Sequence, residues 1–197
     1  MDLDIQKMTD DERIEQLADC FRRMIQLVGD DPSREGLEKT PLRAAKAMWY
    51  LMSGYRSDAP SVIKSALFTH SGSQIVIVKN IEFYSMCEHH ILPFFGRVSI
   101  AYIPSGKIVG LSKLARAVDA CARKLQVQEN LTSEIMHAVS DAVPTEGVLV
   151  ICEAQHLCMK MRGVEKQDSS TSTIDYCGRF AVDSSLRAEA LERINIS

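Results

Sequence analysis

Along the chain, Ile14, Leu17, Phe21, Met24, Ile25 and Val28 recur at helical spacing up to Gly29. Thr9-Asp10-Asp11-Glu12 stands before them as a capping box, so the pattern predicts a surface helix with a buried stripe, and Cys20 beside that stripe as plain packing. After a polar turn around Asp30-Asp31-Pro32, Thr40-Pro41 supplies an N-cap with proline in the first turn. The helix it opens runs to about Gly54, with Leu42, Ala45, Met48, Trp49 and Met52 on its apolar stripe. Arg43 and Lys46 stand three apart on another face, where both can point at one ligand or simply be solvated.

Residues 55 to 72 carry Gly, Ser and Pro with little periodicity. The pattern then changes to a period of two. Ile75 to Asn80 alternate as a strand leading into Ser85-Met86-Cys87-Glu88-His89-His90, and Arg97 to Pro104 form another before a turn at Ser105-Gly106. Beyond Lys107 to Leu111, Ser112 is placed to cap a helix with Leu114, Val118, Cys121 and Leu125 inward. A further helix spans about Val127 to Val143, a long strand follows over Gly147 to Gly163, Ile174 to Val182 read as a last strand, and Leu186 to Ser197 as a terminal helix. Helices, strands, two helices and strands again make an α+β fold with an antiparallel sheet. The expected organisation is a helical N-terminal segment over residues 1–60, a connection over 61–72 and a sheet-bearing body over 73–197. The exposed sheet edges need covering, and oligomerisation is one way to do it.

The long strand carries the chemistry. Counting in twos places His156, Cys158, Lys160 and Arg162 in one row, with Leu157, Met159 and Met161 on the other side. A strand that only buries a face has no need of imidazole, thiol, ammonium and guanidinium in register. Cys87 and His90, at i and i+3, can meet on one ion within a single turn, with His89 beside them. Cys87, His89, His90, His156 and Cys158 are then more ligands than zinc needs in either of its usual forms. Both cysteines with one histidine would leave an open position and two imidazoles for proton transfer. A closed site of two cysteines and two histidines is the structural alternative, and it has no use for the cations at Lys160 and Arg162.

Composition narrows the partners. At 46% hydrophobic and 25% charged, 197 residues suffice for one sizeable core. A net charge of −3 gives no bulk attraction to nucleic acid, so an anionic ligand must be held by local cations. The acidic start MDLDIQKMTDDE lacks an apolar core segment, and no run approaches the roughly 18 apolar residues of a membrane span, so a cytoplasmic address with no membrane partner is expected. In a reducing compartment the six cysteines suit metal or core roles better than disulfides.

Two further stretches look built for a nucleotide. Ser112, Lys113 and Arg116 put a hydroxyl and two cations in the first turns of a helix, where unpaired N–H groups already attract phosphate. Glu129, next to Gln128 at the start of the following helix, either complements the helix dipole or accepts hydrogen bonds from a base such as guanine. His70 and His137 lie outside these clusters and read as structural.

With these residues assembled, the sequence resembles the GTP cyclohydrolase I family. The resemblance runs from about Asp31 to Phe180 through DPSREGLEKTPLRAAKAM, SMCEHH, LPFFGRVSIAYIPSGKIVGLSKLAR, LQVQENLT and HLCMKMRGVEK, in one order. It implies a tunnelling fold, an antiparallel sheet with helices on one face, assembled as a toroidal homodecamer with active sites at subunit interfaces. It implies conversion of GTP to 7,8-dihydroneopterin triphosphate and formate, the first step of folate or tetrahydrobiopterin synthesis, and it leaves room for a regulatory protein partner. Carried over by position, it makes Cys87, His90 and Cys158 the ligands of Zn2+ and His89 and His156 the proton-transfer groups. Ser112, Lys113, Arg116 and Arg162 would hold the triphosphate, Arg43 and Lys46 reaching in from a neighbouring subunit, and Glu129 with Gln128 the guanine edge. Asn130 stands where the family commonly has arginine, and Ser99 where histidine is frequent.

Overall fold

The protein's structure is a computed structural model that describes residues 5–195, divided into two units between Met52 and Ser53. In the first unit a 3-10 turn over Ile5–Lys7 precedes helix α1, Asp10–Leu27. Its capping box is complete: the Thr9 hydroxyl accepts from the Glu12 amide at 3.3 Å, and the Thr9 amide donates back to the Glu12 carboxylate at 2.7 Å. Ala18 and Ile25 are the buried positions of this helix, and Cys20, expected beside the packed stripe, is exposed. Helix α2, Thr40–Leu51, starts one position earlier than Thr40-Pro41 predicts. Lys39 is the cap residue, and Thr40 turns its hydroxyl back onto the Gly36 carbonyl. Arg43 and Lys46 are both exposed on α2.

In the second unit, the stretch expected as irregular connection is structured. A 3-10 turn, Ser53–Arg56, leads into helix α3, Ala59–Lys64, because Asp58 caps it by accepting from the Ser61 amide at 2.9 Å. Strand β1, Leu67–Thr69, follows. Next come β2, Val76–Cys87; β3, Pro93–Pro104; β4, Lys107–Val109; helix α4, Leu111–Ala122; β5, Leu125–Gln126; and helix α5, Gln128–Ala142. Strand β6, Thr145–His156, the short helix α6, Leu157–Lys160, strand β7, Thr171–Gly178, and helices α7, Arg179–Val182, and α8, Ser184–Asn195, complete the unit. The terminal helix expected to reach Ser197 is described to Asn195, its last two residues lying outside the described ones. Among the described residues no helix is long and apolar enough to cross a membrane.

The main sheet has the order β5-β2-β3-β6-β7. Its pairs are antiparallel, as expected, except at the edge where the two-residue β5 lies parallel to the end of β2. One face, with Val98, Ile100, Tyr102, Val148, Val150 and Cys152, packs on Leu114, Val118 and Cys121 of α4 and Leu131, Ile135 and Val139 of α5. The alternate positions Ala101, Ile103 and Leu149 face the other way and pack on Phe180 and Ala190 of the C-terminal helices, so part of the second face is covered too. Gly178 makes that last turn possible: its φ is +60°, and a Cβ there would lie 2.2 Å from the Glu146 carbonyl oxygen.

Strand β2 slips register between Val78 and Ile81, with Asn80 in the left-handed region at φ 59°. The buried Ser99 hydroxyl accepts from the Asn80 amide at 3.3 Å, which gives that serine a structural use at the bulge.

Strand pairing decides what meets what. Met86 lies opposite Pro93, Phe94 opposite His156, and Ala154 opposite Thr171. The end of β2, the start of β3, the end of β6 and the start of β7 therefore share one end of the sheet.

Candidate active site

At that shared end the chain turns sharply after Cys87. The Cys87 carbonyl accepts from the amides of His90 at 3.3 Å and Ile91 at 2.8 Å, while its own amide donates to Leu92 at 2.8 Å. Ile91 takes a left-handed φ of 51° to close the turn. This fold-back brings the His90 ring to the Cys87 thiol, with Nδ1 3.7 Å from Sγ. Cys158 comes from the helical turn that follows β6, and the ligand atoms of Cys87, His90 and Cys158 all lie within 4.8 Å of one another. His89 stays exposed, its Nδ1 4.0 Å from the Cys87 sulfur and its Nε2 3.5 Å from the Glu88 carboxylate.

The row expected along one extended strand is not one. Strand β6 stops at His156 and the chain enters a helical turn at Leu157, so His156, Cys158, Lys160 and Arg162 do not alternate on a shared face. The turn draws Cys158 and Arg162 together instead. The Arg162 guanidinium donates to the Cys158 carbonyl at 3.4 Å and lies 3.2 Å from His90 Nε2. Lys160 turns away and donates to Gln155 at 2.9 Å.

His156 is fixed on two sides. Its ring stacks on buried Phe94, centroids 4.6 Å apart, and its Nε2 meets the Gln128 Oε1 at 2.8 Å. Burial holds this imidazole below its ordinary pKa, opposed by the nearby Glu129 carboxylate. Burial also pushes the Cys158 thiol up, reinforced by the Cys87 thiol beside it. A cavity of about 210 Å³ opens over the group, lined among others by Cys87, His89, His90, Glu129, His156 and Cys158. A larger one, about 510 Å³, lies on the sheet around Tyr84, Phe95 and Arg97 and is lined by none of these residues.

The stretch expected to bind phosphate is elsewhere. Gly110, not Ser112, precedes the first residue of α4, and Ser112 sits inside the first turn without a capping hydrogen bond. Helix α4 starts beside β4, at the far end of the sheet, and runs for 12 residues, about 18 Å at 1.5 Å per residue, toward β5 and the Cys87 end. Ser112 and Lys113 are thus at the end of α4 away from Cys87, with Arg116 near its middle.

The description of GTP cyclohydrolase I matches residues 17–195. The chain belongs to the GTP cyclohydrolase I family. A protein named GTP cyclohydrolase 1 from Porphyromonas gingivalis is 50% identical over 184 residues, covering 93% of this chain and 95% of the relative. Another from Alkalilimnicola ehrlichii is 51% identical over 180 residues, covering 91% and 97%, and one from Coxiella burnetii 52% over 178 residues, covering 90% and 97%.

For this member of the GTP cyclohydrolase I family, two parts of the site were invisible to periodicity. Phe94 reads as a core aromatic until its register opposite His156 is known. Gln128, expected at the guanine edge beside Glu129, is 1% exposed, and its amide is taken up by protein groups. Glu129 next to it is exposed at the cavity.

Proposed function

We propose that this protein hydrolyses GTP at C8, releasing formate and giving 7,8-dihydroneopterin triphosphate. The observation that carries the proposal is the convergence of Cys87, His90 and Cys158 within 4.8 Å, on one cavity with His89, His156 and Glu129. The family and its half-identical relatives named GTP cyclohydrolase 1 support the substrate.

The donor set fits zinc. Two thiolates and an imidazole suit a borderline-soft ion, and three protein ligands leave the fourth position open, as in catalytic rather than structural sites. A divalent ion also removes the cost of placing two ionised sulfurs side by side. Zinc held there supplies a Lewis acid that makes hydroxide available near neutral pH.

The chain's own groups do the rest. Glu129 accepts hydrogen bonds from the base N–H edge and orients the purine over the cavity. His156, held by Phe94 and Gln128, delivers a proton to N7 as the ring opens, because charge would otherwise build on that nitrogen. His89, exposed at the mouth, serves the later proton transfers. Ser112, Lys113, Arg116 and Arg162 bind the triphosphate, so remote binding energy keeps the opened intermediate positioned. Arg43 and Lys46 of a neighbouring copy are assigned to the same phosphates from the family resemblance.

Ser112 and Lys113 sit at the end of α4 away from Cys87, with Arg116 near its middle, which favours phosphate contacts supplied by a second copy. The toroidal homodecamer is the assembly implied by the family resemblance. The thiol-rich ligand set needs a reducing compartment, which supports a cytoplasmic location.

The test is an incubation of zinc-replete, assembled protein with GTP, following formate and the pterin, with His156→Ala alongside. The parent releases formate, and the variant keeps its zinc and releases none. Absence of formate from zinc-replete parent overturns the proposal.

A further inference from the structure

Gln128 opens helix α5 at the edge of the cavity, and its buried side chain is bonded to protein groups beneath it. Its Nε2 lies 3.0 Å from the Cys152 carbonyl, 3.0 Å from the Thr171 carbonyl and 3.2 Å from the Thr173 hydroxyl. Backbone carbonyls only accept, so the atom facing two of them must be the NH2 group, and the orientation of the amide is thereby fixed. The carbonyl end of Gln128 is left pointing at His156 Nε2, 2.8 Å away. An amide oxygen also only accepts. The nitrogen facing it must therefore carry a hydrogen.

The platform under this amide is itself fixed. The Thr132 hydroxyl donates to the Gln128 backbone carbonyl at 2.9 Å and meets the Thr173 hydroxyl at 2.6 Å, tying the first turn of α5 to strand β7. Gln128 and Thr132 are each 1% exposed, so water is not there to offer an alternative partner. Turning the amide over would set its oxygen against two carbonyls and leave a buried polar cluster unsatisfied, a cost of kcal/mol size. The preference thus passes from the sheet backbone through one side chain to one ring nitrogen, while stacking on Phe94 sets the plane of the ring.

We infer that Gln128 is a positioning residue that holds His156 as the Nε2–H tautomer and makes Nδ1 the atom through which His156 exchanges its proton with substrate. This rests on the assignment of His156 to proton transfer. As an acid, the ring starts with hydrogens on both nitrogens, gives the Nδ1 proton to a substrate nitrogen and remains neutral with hydrogen on Nε2. As a base, the Nδ1 lone pair takes a proton back while the Nε2–H bond to Gln128 persists. Neither direction asks Gln128 to change its own hydrogen bonds, so the partner is already arranged before reaction begins. An apolar residue of the same length would leave both tautomers open and only one of them useful.

The experiment is nitrogen-15 histidine NMR on the assembled, zinc-loaded full chain, whose five histidines allow the His156 signals to be assigned from His156→Ala. Neutral His156 is expected to carry its hydrogen on Nε2, and a hydrogen on Nδ1 would overturn the inference. Gln128→Met, checked for zinc content and assembly, is expected to lose the single tautomer. Its kcat should fall by about a hundredfold, the lower range for a positioned proton-transfer group, with KM for GTP within about twofold. A variant that assembles with zinc and retains parental kcat also overturns it, and if the variant does not assemble the parent spectrum decides alone. Undiminished formate release from His156→Ala would instead remove His156 from the chemistry and leave the tautomer result standing, so the two failures are distinguishable.

Discussion

Phe94 and His156 lie opposite each other in the β3–β6 pairing, and their rings stack with planes 2° from parallel. Phe94 in turn meets Phe83 edge-on, 5.8 Å between centroids at 74°. A candidate proton-transfer group is thus mounted directly on core aromatics, and the same contact contributes to stability and to the site's geometry.

Phe94→Ala should therefore have two effects. Phe94 is fully buried, and truncating such a ring to alanine costs about 3–5 kcal/mol. The urea midpoint should fall accordingly with little change in m. Turnover of the folded fraction should also fall, because the imidazole loses the surface that sets its plane. A midpoint shift worth under about 1 kcal/mol would mean that the ring is not packed as described.

How far the sequence foretold this arrangement depended on how local the determinant was. The capping box of Thr9 and Glu12 spans four consecutive residues and formed as read. Cys87 and His90 are likewise three apart, and one turn brings them together. Beyond His156 the alternation misled, because H-L-C-M-K-M-R satisfies a period of two and yet forms a helical turn whose i, i+4 contact joins Cys158 to Arg162. Ser112 suited a helix cap chemically, but the helix began before it. The Gln128–His156 contact joins residues 28 apart, and the Phe94 stack depends on strand register; neither is written in any local pattern.

The N-terminal unit carries an acid-sensitive contact of its own. Arg34 grips Asp30 with two hydrogen bonds of 2.9 Å, and this pair, with the Asp31 amide, lowers the Asp30 carboxyl from 3.8 to about 2. A carboxyl whose folded pKa is depressed contributes stability that is fully present above the unfolded value and lost as pH falls through the folded one. Asp30→Asn should therefore lower Tm near neutral pH, and the difference from the parent should close between about pH 4 and about pH 2. The pair is exposed, so salt of about 1 M, where the screening length is ~3 Å, should narrow the difference as well. A difference that is constant across that pH range would show that the charge of Asp30 is not what matters.

Metal content gives the sharpest separation between the roles assigned within the site. Cys158 is one of three residues whose ligand atoms converge, whereas His156, two positions earlier, is engaged by Gln128 and Phe94. Cys158→Ala should leave only Cys87 and His90 as ligands, and purified protein should contain little zinc after gel filtration, with formate release lost in parallel. His156→Ala should retain close to the parental zinc content. His156→Ala removes a whole ring and Cys158→Ala a single sulfur, so a general loosening of this end of the sheet would lower zinc at least as much in the His156 variant. Full zinc in Cys158→Ala would move the third ligand to another side chain on the cavity, with exposed His89 the nearest alternative imidazole to the Cys87 sulfur. Loss of zinc from His156→Ala as well would make His156 a ligand, and the open coordination position on which the proposed hydrolysis depends would no longer exist.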